Sequence, residues 1–115
     1  MPPRQDHRRH AGKYAVGDVG DRCSFYFHDR PHGRFIKAHN LHAFLDAASA
    51  IDDESWERHL RSGDFSAWFR HVIKDQDLAR EAAMVERDEA VRAAESRRLI
   101  RKAIWRRYAA PGQCP

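Results

Sequence analysis

Apolar positions along the chain fall into two patterns. The first is short and aromatic-rich. Ser24-Phe25-Tyr26-Phe27-His28 and Arg34-Phe35-Ile36-Lys37-Ala38 carry the residue types that strands favour. Asp29-Arg30-Pro31-His32-Gly33 lies between them and supplies proline and glycine for a turn. This pattern predicts a β-hairpin, with Phe25 and Phe27 on one face and Tyr26 and His28 on the other. A hairpin alone is marginal in water, so it must pack on helices.

The second pattern is helical and occupies the rest of the chain. Leu41, Phe44, Leu45 and Ala48 follow the spacing i, i+3, i+4, i+7, with Asn40 placed to cap a helix ending near Ser49. Asp52 is placed to cap a helix over 53–62. Ile51 and Trp56 are spaced as a hydrophobic staple, and Gly63 is positioned to end that helix. Asp64 is read as the cap of a third helix carrying Phe65, Trp68, Phe69, Val72 and Ile73. Asp75 opens a charged segment over 76–108. There Leu78, Ala82, Val85, Ala93, Ile100, Ala103 and Ile104 share one stripe, interrupted by Glu89 and Ser96. As one helix this segment would span about 50 Å, far beyond the ~13 Å radius of gyration of a compact domain of this size. It therefore overhangs, meets a partner chain, or breaks near 88–96 into two helices.

The predicted fold is α+β: a hairpin or small sheet on three short helices, with a long charged C-terminal helix. The expected core is Phe25 or Tyr26, with Phe27, Ile36, Leu41, Phe44, Leu45, Trp56, Leu60, Phe65, Trp68, Phe69, Val72, Ile73 and Leu78. Residues 1–21 hold Pro2, Pro3, Gly12, Gly17 and Gly20 and read as a disordered basic arm, with a short strand over Lys13–Val16. Residues 22–110 form the single expected domain and 111–115 a tail.

Composition narrows the class of protein. With 115 residues, 42% of them apolar, the chain has material for one core. No apolar run approaches the ~18 residues of a membrane span. Met1-Pro2-Pro3-Arg4 lacks the apolar stretch of a signal peptide, which predicts a cytoplasmic protein. Two cysteines, Cys23 and Cys114, do not make a disulfide scaffold. The net charge of +4 is unevenly placed. Residues 14–96 carry eleven basic and sixteen acidic side chains, whereas 97–108 carry six basic ones and no acid. The basic character belongs to the two ends, not the body.

That basic end is the main candidate site. Arg97, Arg98, Arg101, Lys102, Arg106 and Arg107 interleave with Trp105 and Tyr108. Guanidinium groups hold phosphates and carboxylates, and aromatic rings stack on unpaired bases. Tyr26, His28 and Lys37 on the hairpin would extend such a surface, and Phe25 and Phe27 would add a stacking platform if exposed. The eight histidines show no paired ligand spacing, so no metal site and no cofactor are expected. Cys23 has no recognisable nucleophile context. His59 and Asp64 could act as base and orienter, but a tight helix–glycine–aspartate–helix corner explains both, so no catalytic residue is assigned.

This corner also carries a resemblance. Ser55-x-x-x-His59-Leu60-x-x-Gly63-Asp64-Phe65-x-x-Trp68-Phe69, with Phe25-Tyr26-Phe27, Gly33, Leu41-x-x-Phe44-Leu45 and Asp75-x-Asp77-Leu78-Ala79, resembles an uncharacterised family of small bacterial and archaeal α+β domains. The resemblance spans about residues 24–108 and transfers no activity. It implies at most an accessory or regulatory role, some members looking like modules near carbohydrate-active enzymes. His59, Gly63, Asp64 and Trp68 are its structural carriers. The function expected is a non-enzymatic interaction or regulatory module using the long basic helix toward a protein partner or a second copy. The alternatives are a single-stranded nucleic-acid-binding protein, and a small enzyme using His59 and Asp64.

Overall fold

The computed structural model describes residues 14–108. β1 (Phe25–Asp29) and β2 (Arg34–Ala38) pair antiparallel, with Phe27 opposite Ile36 and His28 opposite Phe35. The turn is a single 3-10 turn, Arg30–His32. It closes on Gly33, whose φ of 59° is left-handed and open to glycine at no steric cost. Alternation works as expected. Phe25 and Phe27 are buried, while Tyr26, the other core candidate at that end of β1, is exposed.

Helix α1 (Leu41–Ala50) is capped by Asn40 Oδ1, which accepts from the Ala43 amide at 2.7 Å. In α2 (Asp53–Ser62) Asp52 does the same for Ser55 at 3.1 Å. Gly63 follows at φ 74° and serves both helices: it ends α2 and is itself the N-cap of α3 (Asp64–Trp68). This corrects the expected role of Asp64. The helix has already begun at that residue, so its carboxylate is released from capping and turns back to His59. The third helix also ends differently from a regular α-helix. Phe69–Ile73 form a π turn closed by Lys74 in the left-handed region.

The segment 76–108 is two helices, α4 (Gln76–Arg87) and α5 (Ala93–Tyr108). Asp88 leaves helical geometry at ψ 98°, and its carboxylate accepts from the Ala90 amide. α5 then folds back along α4, so that Tyr108 at its end donates to Asp75, the N-cap of α4, at 2.8 Å. Burial, and then the Asp75 carboxylate, hold the Tyr108 phenol well above its usual range. The loop between the helices is tied to α2 by Arg61. Its guanidinium donates to the carbonyls of Glu86 and Val91, both at 2.9 Å.

The hairpin and helices enclose one aromatic core. Phe25, Phe27, Phe44, Trp56, Phe65, Trp68 and Phe69 meet ring to ring, with Trp56 and Phe65 at 4.4 Å between centroids. Ile36, Leu45 and Val72, expected inside, are only partly buried at its margin. Ser96 is fully buried and no interruption of the stripe: its hydroxyl accepts from the Trp56 indole at 2.7 Å and donates to the Ala93 carbonyl.

The expected arm and strand are also revised where they fall within the described residues. Tyr14–Val16 are helical rather than extended. Ala15 is buried, the Val19 amide donates to the His39 carbonyl, and Asn40 donates to the Gly17 carbonyl. Residues 14–21 thus lie against the body. Residues 1–13, the tail 111–115 and Cys114 lie outside the described residues. Among the described residues no helix is long and apolar enough to cross a membrane.

Candidate functional site

α1 and α5 lie side by side and leave a groove of about 230 Å³ between them. Phe44, Leu45, Ala48 and Ser49 of α1 form one wall. Ala94, Arg97, Arg98, Ile100 and Arg101 of α5 form the other, with Trp56 behind. The reason is periodicity. Ile100 turns to the core, and 94, 97, 98 and 101 recur at three- and four-residue steps along the flank facing α1. The floor is apolar and one rim is cationic.

The eight basic and aromatic residues expected to form one surface are divided by the fold. Arg97 points inward. Its guanidinium lies 5.4 Å from the centre of the Trp56 ring and donates to Asp53 at 2.9 Å and to the Ile51 carbonyl. Arg106 and Arg107 both bind Glu81 of α4. Tyr108 is buried on Asp75. Arg98 pairs with Glu95 one turn earlier, which holds that carboxyl below its usual range. Arg101 and Lys102 are exposed and carry no ion pair among the described residues. Trp105 is partly buried beside His42 of α1, at 6.4 Å between rings. The continuous basic strip of the sequence is therefore a short outward patch of Arg98, Arg101 and Lys102, of which Arg98 and Arg101 line the groove.

The hairpin does not extend it. The Tyr26 hydroxyl donates to the Asp21 carbonyl, Lys37 pairs with Asp21 at 2.6 Å, and Phe25 and Phe27 are buried. His28 stacks on Phe35. Among the described residues no group of three or more His, Cys, Asp and Glu side chains could hold a metal ion.

The helix corner brings His59 and Asp64 together, but in a closed arrangement. His59 Nε2 accepts the backbone N–H of His28 at 3.0 Å. The ring proton is thereby placed on Nδ1, which donates to Asp64 Oδ2 at 2.8 Å. A base needs a free nitrogen within reach of a substrate, and here both are engaged. The ring packs edge-on against Phe25 and Phe27. The corner thus ties α2 and α3 to the outer side of β1, helped by Ser55, whose hydroxyl accepts the Arg30 amide at 3.1 Å. Trp68 donates to the Cys23 carbonyl at 2.7 Å and holds the entry to the hairpin.

The contribution of α1 to the groove was missed in the sequence. Leu45 and Ala48 sit on the stripe that defines the core, and only the incomplete burial of Leu45 separates groove from core. No protein-family model, curated protein or solved structure matches the chain. The functional reading rests on this geometry.

Proposed function

We propose that the protein is a non-enzymatic interaction module whose α1–α5 groove seats an acidic segment of a protein partner. The observation that carries this reading is the pairing of an apolar floor with a rim of Arg98 and Arg101. An aliphatic or aromatic side chain of the partner would fill the floor, and flanking carboxylates would meet the exposed guanidiniums. The size supports a protein ligand. About 230 Å³ lies below the roughly 300–1,000 Å³ of small-molecule sites, but it is room for one large anchoring side chain. Single-stranded nucleic acid is disfavoured because Arg97, Arg106 and Arg107 are committed to Asp53 and Glu81.

The test is a binding titration with short acidic peptides, each carrying one Leu, Phe or Trp anchor, followed by fluorescence anisotropy. Binding is expected to weaken about tenfold or more in Arg98→Glu/Arg101→Glu and in Leu45→Asp. No loss in either variant overturns the assignment of the groove. Salt-steep binding to an oligonucleotide, abolished by Arg101→Glu, would replace the peptide reading with the nucleic-acid one.

A further inference from the structure

The hairpin has two edges, and α2 meets one of them. At the β1 edge the His28 amide points away from β2 to His59 of α2, and the Arg30 amide, one residue beyond the strand, donates to Ser55 of the same helix. In an antiparallel pair the backbone groups of successive residues point to alternate sides. The backbone of Phe25, Phe27 and Asp29 therefore faces β2, and that of their partners Ala38, Ile36 and Arg34 faces β1. Phe35 and Lys37 are left presenting both N–H and C=O to the outside. Among the described residues none of these four groups has a hydrogen-bond partner. The side chain of Phe35 is 64% exposed at the same edge.

We propose that this edge pairs with β2 of a second copy, about a two-fold axis at Ile36, to form a four-stranded antiparallel sheet. The register follows from the open groups. An axis at Ile36 places Phe35 opposite Lys37 of the other copy, so all four outward groups are used on each side, whereas an axis at Lys37 sets two ammonium groups against each other. On the outer face each Phe35 ring then lies beside an opposing Lys37 ammonium, a favourable cation–aromatic contact. On the inner face the two partly buried Ile36 side chains meet. Charge also favours self-pairing. Arg34 pairs with Asp29 and Lys37 with Asp21 within the chain, so the edge carries little net charge to draw an acidic strand from elsewhere, while each Lys37 ammonium still repels a cation set directly against it. A five-residue edge buries less than the roughly 1,200 Å² of a stable interface, so the association is weak and reversible.

Sedimentation velocity of the full chain from micromolar to millimolar concentration tests this, with circular dichroism to verify folding of each variant. The wild type is expected to dimerise reversibly. Phe35→Lys, which opposes Lys37 of the copy, is expected to weaken the dimer about tenfold or more. Phe35→Glu is expected to tighten it, and Phe35→Lys/Lys37→Glu to restore it. Lys37→Pro, which removes an outward amide, gives a monomer without relying on charge. A chain that stays monomeric throughout overturns the proposal. So does a dimer that responds equally to all four changes, or one lost only on substituting Arg98 and Arg101. The groove reading stands or falls separately, since no residue is shared.

Discussion

Ser96→Ala is the most direct probe of the folded-back arrangement of α5. Trp56 and Ser96 are both fully buried, 40 residues apart, and joined by a 2.7 Å hydrogen bond. Alanine at 96 leaves the indole N–H buried without an acceptor. An orphaned buried donor costs about 1–3 kcal/mol. Alanine is the better helix former by about 0.5 kcal/mol, so a net loss of about 1–2 kcal/mol is expected. At about 4–8 °C per kcal/mol for a domain near this size, Tm should fall by about 4–16 °C. Trp56→Phe removes the donor itself, at its own packing cost. In that background Ser96→Ala orphans nothing, so the cost should vanish and the double-mutant cycle should show a coupling of about 1 kcal/mol or more. Urea melts followed by far-UV circular dichroism measure all four proteins. Additive changes, or a Ser96→Ala cost below about 0.5 kcal/mol, would refute the contact. With it would go the placement of α5 against α2, since an unbroken 76–108 helix does not bring residue 96 back to Trp56.

Two further substitutions test the supports of this arrangement. Arg61→Ala removes the guanidinium bonds to the Glu86 and Val91 carbonyls, at the end of α4 and in the connection that follows it; discounted for exposure, it should cost about 1–2 kcal/mol and speed amide exchange selectively at Ala90 and Val91, with uniform exchange counting against it. Glu86 is buried, and burial raises its carboxyl above the usual range despite the Ser66 amide bound to it at 3.0 Å. A carboxyl raised in the folded state contributes stability below its unfolded value and loses it as pH rises through the folded value. Glu86→Gln keeps an acceptor for Ser66 and abolishes that loss. The stability of Glu86→Gln relative to wild type should therefore increase from pH 4 to pH 7, and a constant or falling difference would contradict the sign.

The helix corner and the groove stand at different distances from the sequence. The corner His59–Gly63–Asp64–Trp68 is visible as a motif because its residues are close in the chain. Its internal chemistry was only half visible. The sequence suggested a cap for Asp64 and a buried partner for His59. The structure gives Asp64 to His59 and supplies the second bond from the His28 amide, 31 residues away. The basic strip misled for the same reason. Six cations in a row look like one surface until Glu81 and Asp53, on other helices, are set against half of them.

The sequence alone determined what depends on period and on local chemistry. Alternation over 25–28 set the buried face of the hairpin. The three- and four-residue recurrences set the helices. Asn40, Asp52 and Asp75 set their starts, because a cap needs only its own first turn. Tertiary structure alone decided what depends on which elements meet. It decided that 76–108 breaks at Asp88, because stacking α5 on α4 buries one stripe twice over, which a single projecting helix cannot do. It decided which arginines turn inward and which line the groove, because a guanidinium's role is set by the nearest carboxylate in space. It also decided which edge of the hairpin meets a helix, because His59 and Ser55 arrive from α2.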